Sequence, residues 1–577
     1  MESDNPSPEA VPHGITGEEK VLADASTHAT TPQDALDQQS QTNQQDSPAV
    51  PAEEEYPSGA RLAILVLALI VTIFLVALDM TIVATAIPRI TQEFNSLPDI
   101  GWYGSSFFLT ISAFAQVWGK AYTYFSLKWV ILTAIFIFEV GSLICGVAPN
   151  SAALIVGRAI TGAGGAGITN GCYIIIAFIA HPDKRPVYIG VLGAVYGFAS
   201  VVGPLIGGAF TTNVTWRWCF YLNLPVGGAS ALILLLFFQT PAAAAPRQAT
   251  WREKLLNMDP LGTILILGSL VSYLLALQVG GTSKAWNSSE VIGLLVGFVV
   301  ILAVFIFQQA QLGDRAMMMP RLIKKRQTIA LLLFNFFLAG AYFNFVYYLP
   351  VYFQSIGGFS AIDSSVRNLS LIVSSSVFGI ISGISLTKVG YFHVLLLSGA
   401  GFATLGAGLL TTLGPNLETG KYVGYQLLLG IGCGLCLQIP VIVGQAFSSP
   451  ADIPAVTAIL LFFQTMGGTI FISAAQSIFA NRLIVSLAGN TSGVIPKEVV
   501  AVGADQLRAV FSGAQLKDVL DAYIIGLRDA WILGVVTAGL AFLSSFLTGF
   551  RSIKQGAQQK SVAPSTDVPS EDNEKTV

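Results

Sequence analysis

The sequence predicts an all-α polytopic membrane protein, and three observations carry that prediction. Only 11% of the 577 residues are charged, against about 25% in an average soluble chain. Hydrophobic residues make up 53%, and the mean hydropathy is +0.66. The charges gather at both ends and in short breaks between apolar runs of about 20 residues, the length a helix needs to cross a bilayer. These runs are continuous, not alternating, which favours helices over a barrel.

Taken in order, residues 1–58 are rich in Ser, Thr, Gln, Pro, Asp and Glu. They cannot bury enough apolar surface to offset ordering entropy, so a disordered tail is expected, with no cleavable signal peptide ahead of the first span. Fourteen spans are expected, near 61–87, 102–118, 129–147, 152–179, 188–211, 219–239, 260–279, 291–309, 328–353, 367–386, 393–413, 422–445, 454–480 and 529–550. Residues 551–577 read as a second disordered tail. The organisation expected is a six-helix half over 60–240, a linker with two extra helices over 241–327, and a second six-helix half over 328–550.

Lys and Arg fix the orientation. With both tails in the cytosol, the inner loops hold the basic clusters 184–185, 247–254 and 315–326 together with Lys120, Lys128 and Lys388. The short outer loops and their edges hold only Arg89, Arg217, Lys284, Arg367 and Lys421. Two glycosylation sequons, at Asn287 and Asn490, fall in loops this topology places outside. Two more, at Asn213 and Asn368, lie hard against a span.

The chain also repeats internally. RAITGAG from Arg158 aligns with QLLLGIG from Gln426 at an offset of 268 residues, and the same offset sets Lys120 on Lys388. Duplicated halves with the extra pair inserted between them follow, a plan that places a substrate site at the interface of the repeats.

Small residues mark the fifth span. Gly193–Gly208 reads GAVYGFASVVGPLIGG. At 100° per residue, Gly193, Gly197, Ser200, Pro204, Gly207 and Gly208 fall within about 100° of arc, and Gly203 lies just off that stripe. Such a groove lets a neighbouring backbone approach, and Pro204 removes a hydrogen bond to Ser200. The groove serves either a movable interface or a static seam.

Four segments in this order resemble the major facilitator superfamily. GPLIGG at 203–208 is similar to its fifth-helix antiporter motif. LDMTIVATAIPRI at 78–90 is similar to the first-helix motif of the fourteen-span drug:proton antiporter branch. LIVGRAITGAGGAG at 154–167 resembles the fourth-helix Arg–Gly motif, and WRWCFYLNLPVG at 216–227 the start of span six. The resemblance covers about residues 60–550 and is greatest to fungal exporters of toxins and other secondary metabolites. It implies the major facilitator fold and proton-driven efflux. GKAYTYFSLKW at 119–129 departs from the family's inner-loop motif, keeping Gly119 and Lys128 but lacking the Asp and the paired basic residues. SSVRNLSL at 364–371 also departs, with Ser where Gly and Pro are common.

Asp79, Glu139 and Arg158 are ionisable residues within spans, where burial is expensive and function is the default reading. Asp79 lies roughly 27 Å up the first helix from Arg61 at 1.5 Å per residue, a depth comparable to that of Arg158. Asp79 and Arg158 are candidates for coupling proton movement to substrate movement, the alternative being a permanent brace. For Glu139, proton relay and plain helix–helix hydrogen bonding are both open. His393, at an inner helix end, reads as a surface residue. The five cysteines lie in or beside spans, and the Cys433–Cys436 pair reads as small packing residues, not a redox or metal site.

The second half has no matching charge, since Gln426 stands where the offset puts Arg158. Aromatic and amide side chains suit an amphipathic organic ligand and not a small anion. The candidate cavity residues are Tyr196, Asn344, Tyr347, Gln438 and Gln464, each alternatively a satisfied interhelical hydrogen bond.

The expected function is export of hydrophobic or amphipathic small molecules by proton exchange, with the halves rocking about a central site. The partners expected are a small-molecule substrate, protons and the lipid bilayer. No nucleic acid, cofactor or metal is expected, and the chain is expected to be a monomer in the plasma membrane, or alternatively in a vacuolar or vesicle membrane. A siderophore or basic amino-acid carrier of the same fold is the alternative, though a cationic cargo calls for more acid than Asp79 and Glu139. A receptor or membrane enzyme fits less well: neither tail reads as folded, and there is no HExxH, no GxxxxGK[ST] and no cluster of His with Asp or Glu.

Overall fold

The computed structural model describes residues 56–553 apart from 95, 97–98, 489–492, 497–498, 500–501, 505 and 551. Both expected tails, save Tyr56–Ser58 and 552–553, and the sequon at Asn490 lie outside the described residues. Fourteen helices of 15 residues or more occur among the described residues. The first six are α1 (Gly59–Phe94), α2 (Ile100–Tyr124), α3 (Leu127–Val147), α4 (Ser151–Ile179), α5 (Arg185–Asn213) and α6 (Asn223–Phe237). The next pair is α7 (Pro260–Val279) and α8 (Ser289–Leu312). The last six are α9 (Arg326–Ser355), α10 (Leu369–Val389), α11 (Phe392–Leu410), α12 (Thr419–Cys436), α13 (Ile453–Ala488) and α14 (Gly513–Ser545). No strand occurs among the described residues.

Thirteen of the described stretches are long and apolar enough to cross a membrane, where fourteen were expected. The expected second span falls in α2, which is not among the thirteen. It has the length, 25 residues, but Thr110, Ser112, Gln116 and Lys120 lower its hydropathy.

Side chains and turns explain where several helices begin and end. Asn150 caps α4 by accepting from Ala153 N at 2.9 Å, satisfying one of the orphan donors of a helix start. Gly390, at φ 81°, ends α10 in the left-handed region, where glycine carries no Cβ penalty. Past Cys436 the chain turns at Leu437 and Gln438 and resumes as a short helix, Ile439–Ala446. Pro440 cannot donate to the carbonyl of Cys436, which accounts for the break.

The packing repeats. In the first half α1 lies on α5, and α2 and α3 lie on α4. In the second α9 lies on α13, and α10 and α11 lie on α12. The halves meet through the matching pairs α5–α10 and α2–α13. Helices α7 and α8 pack on each other, and α7 rests on α2 and α13. Most of α8 is exposed, as expected of a helix whose outer faces meet lipid.

Both ends of the described chain lie on one side, called here the tail side. Arg185 donates to the Tyr56 hydroxyl at 3.4 Å, and Ile553 N donates to Gly390 O at 2.9 Å. The halves are closed together on this side. Every residue of α4 from Gly164 to its end at Ile179 is buried. Gln445 donates to the Tyr173 carbonyl at 3.2 Å, Ser376 donates to Ala194 O at 3.2 Å, and Gly119 packs directly on Ala458.

The five cysteines are buried and free of disulfides. Cys436 donates to Gly432 O at 3.0 Å and fills the space beside Gly399, a packing role.

Candidate functional site

The Arg–Gly segment of α4 is a close-approach surface. A Cβ at Gly162 would stand 2.5 Å from the carbonyl oxygen of Phe107 in α2, and one at Gly164 would overlap the backbone of Phe138 in α3. That proximity draws Arg158 into the centre of the first half, where it is 1% exposed.

Arg158 and Asp79 are brought together as a buried ion pair, Nη1 on Oδ2. Asp79 has no exposed surface. Arg158 Nε donates to the Tyr103 carbonyl at 2.9 Å, and its guanidinium lies over the Phe107 ring at 4.5 Å. The second carboxylate oxygen of Asp79 accepts from Asn223 Nδ2 at 3.1 Å, and that amide also donates to Ser142 Oγ at 3.0 Å. A buried charge pair is tolerable in a membrane interior when its remaining valences are met, and here two further helices meet them.

Glu139 lies on α3 one turn from Ser142. Its carboxylate fills the space that a side chain at Gly227 would need, within electrostatic range of Asp79. Both its oxygens are enclosed and make no hydrogen bond among the described residues. One ion pair and one unpaired carboxyl thus share the first half.

Asn223, Ser142 and Tyr103 escaped sequence reasoning. Asn223 sits inside the quoted WRWCFYLNLPVG segment, and an amide within an apolar run was the available signal. Ser142 and the backbone carbonyl of Tyr103 carried none.

The cavity candidates divide. Tyr347, on α9 away from the tail side, is 53% exposed. Its ring meets Tyr348 edge-on at 5.3 Å. Tyr196 is partly open and shares a hydrogen bond with the Thr169 hydroxyl at 3.2 Å. Gln464 is 9% exposed. Asn344 does not line a cavity: it is fully buried and donates to the Ala530 carbonyl at 2.9 Å, bracing α9 against α14. Gln438 belongs to the seam between the halves, where it accepts from the Tyr173 hydroxyl at 3.2 Å and packs against Gly193. Gln426, the repeat partner of Arg158, is fully buried, with neither amide atom bonded among the described residues.

The glycine stripe seats two neighbours, not one continuous groove. A Cβ at Gly190 would lie 2.6 Å from Gly379 O and one at Gly193 2.6 Å from Gln438 Nε2, while Gly197 abuts Ser376, so this part faces the second half. Gly203 and Gly207 instead abut Thr81 and Thr85 of α1, and Gly208 stands open except for Ile362 at 3.5 Å. The division is angular: at about 100° per residue Gly203 and Gly207 lie on the edge of the stripe toward α1, and Gly190, Gly193, Gly197 and Gly208 on the edge toward the second half. Pro204 lies inside α5 without ending it. His393 donates no described hydrogen bond through Nδ1 and packs on Phe550 at 4.3 Å between ring centroids.

Helical halves related by repetition, with a charge pair sealed in one of them, are the architecture of a membrane transporter. The major facilitator superfamily model matches residues 69–472, and the chain belongs to that family: it is a multi-pass membrane transporter of small molecules. The chain is 46% identical over 511 residues to the MFS-type transporter GME11371 of Pestalotiopsis microspora, covering 88% of this chain and 94% of that one. It is 44% identical over 497 residues to the MFS-type efflux pump MFS1 of Trichophyton rubrum, covering 86% and 93%. Among solved structures, the human organic anion transporter MFSD10 (TETRAN) superposes with a TM-score of 0.54 at 12% identity, over 85% of this chain and all of that one. A bacterial homolog of the human lysosomal transporter Spinster, inward-facing and occupied, gives 0.52 at 17% identity, over 85% and 97%. At these identities the two structures speak for the fold alone.

Proposed function

We propose that the protein exports hydrophobic or amphipathic small molecules in exchange for protons, its halves 60–240 and 328–550 rocking about a central site. The observation that carries this reading is the sealed Asp79–Arg158 pair with Glu139 beside it. An ion pair needs no bulk water in this closed arrangement. When the rocking motion opens the first half to water, a proton delivered to Asp79 cancels the attraction to Arg158, and loss of that attraction changes the packing of α1 against α4. Glu139 offers a second carboxyl on the same route. The candidate cavity residues Tyr347 and Tyr196 are aromatic and uncharged, which supports an amphipathic cargo over a small anion. Relatives named as efflux pumps support the outward direction. We place the protein as a monomer in the plasma membrane with both tails cytosolic, α2 crossing as the remaining span, and Asn287, exposed in the α7–α8 turn, outside and open to glycosylation.

The test is uptake into sealed vesicles under an imposed pH gradient, for a panel of amphipathic dyes and metabolites, with wild type and Asp79→Asn. Gradient-driven uptake that disappears in the variant supports the reading. Full gradient-driven uptake by Asp79→Asn removes Asp79 from the coupling, and no gradient dependence for any compound rejects proton exchange.

A further inference from the structure

The two extra helices end in a connector, residues 313–325, that touches both halves. Its position is fixed from α7 and α8. Asp259, 2% exposed and the one described non-glycine residue at positive φ, 49°, caps α7 through Gly262 N at 2.9 Å. Its carboxylate also accepts from the amides of Gln308 and Gln309 at the end of α8 and from Met317 N. Gln309 in turn accepts from Met318 N at 2.8 Å. The turn after α8 is therefore pinned to the extra pair by buried polar bonds, where losing a partner is expensive.

The pinned connector reaches the first half through Lys120, which is 1% exposed near the tail-side end of α2. Lys120 Nζ donates to the Asp314 carbonyl at 3.0 Å and lies within electrostatic range of Asp259. It reaches the second half through Arg321, which binds both carboxylate oxygens of Asp452, at 2.8 and 3.1 Å, just before α13. Arg321 also lies 3.5 Å from Asp314 Oδ1. These contacts bracket the tail-side meeting of α2 and α13, where Gly119 packs on Ala458.

We propose that this connector is a latch that holds the tail side shut, so the extra helix pair supplies gating residues to the transport cycle. Lys120, Asp314, Arg321 and Asp452 form the latch, and Asp259 with Gln309 anchors it. The proposal rests on the rocking motion above but not on proton coupling.

The experiment uses the full chain in phosphatidylcholine vesicles, without substrate or pH gradient. Spin labels at Trp129→Cys and Val394→Cys, exposed positions at the tail-side ends of α3 and α11, report the separation of the halves by pulsed dipolar spectroscopy. Arg321→Gln and Asp452→Asn are each expected to raise the population of longer distances about two- to fivefold, the range for losing a well-aligned exposed ion pair. The double variant is expected to be no more open than either single one. Gln309→Leu, which frees the connector while leaving Arg321 and Asp452 intact, is expected to give the same shift. Lys324→Gln, an exposed neighbour, is the control and stays at the wild-type distribution. A wild-type distribution in Arg321→Gln, additive effects in the double variant, or no shift in Gln309→Leu overturns the latch. Because no gradient is applied, failure of proton coupling leaves this readout unaffected.

Discussion

Asn223 donates to Asp79 Oδ1 at 3.1 Å, so Arg158 does not hold the carboxylate alone. The pair joins α1, α4 and α6, α2 meets it through the Tyr103 carbonyl, and α3 joins through Ser142. A change at any of these helices is therefore felt at the charge.

Replacing Asn223 by Ala strips one carboxylate oxygen of its donor. A loss of about 1–3 kcal/mol in stability is expected, together with a shift in the pH profile of transport. Thermal unfolding in detergent and transport rate against pH check the two parts. An unchanged pH profile with lowered stability would make Asn223 a packing residue only.

Arg158→Ala leaves an uncompensated carboxylate inside the first half. It is expected to cost about 3–5 kcal/mol, and adding Asp79→Ala is expected to recover part of that loss. The double-mutant cycle measures the coupling directly. A loss in the double variant equal to the sum of the two single losses would mean that the pair contributes no mutual stabilisation.

Gly190→Ala drives a methyl group toward Gly379 O at the seam of the halves. Overpacking there is expected to cost about 1–3 kcal/mol and to favour the tail-side-open form, read as faster labelling of a tail-side probe. Gly424→Ala, which meets open space on α12, is the matched control and is expected to gain up to about 1 kcal/mol from helix propensity.

Tyr347→Ala removes an exposed ring and is expected to raise the KM for aromatic cargo several-fold, with Tyr347→Phe retaining most affinity. Asn344→Ala, which cuts the brace to Ala530, is expected to lower thermal stability and leave the cargo preference unchanged. Competition assays with a dye series separate the two. An altered preference in Asn344→Ala would return that residue to the cavity.

Much of the fold was legible because a membrane leaves few options. Apolar runs, charged breaks and the Arg158–Gln426 repeat led to the helices found, and only the polar α2 fell short on composition. Asp79 and Arg158 were legible as a pair because isolated charges in apolar runs need partners. What the sequence did not reveal was facing. Asn344 and Tyr347 lie three residues apart on one helix, yet one is sealed against α14 and the other is open, a difference set by neighbours far along the chain. The glycine stripe likewise carried its small residues openly but not the change of partner between Gly197 and Gly203. Asp259 gave no signal at all, since a capping Asp before Pro260 looks the same whether its carboxylate ends in solvent or among the amides of α8.

The enclosure of all five cysteines bears on what such a protein can carry. Thiolates are the first groups an electrophile consumes, and their reactivity depends on access to solvent. With all five thiols walled off, none stands open to an electrophilic small molecule.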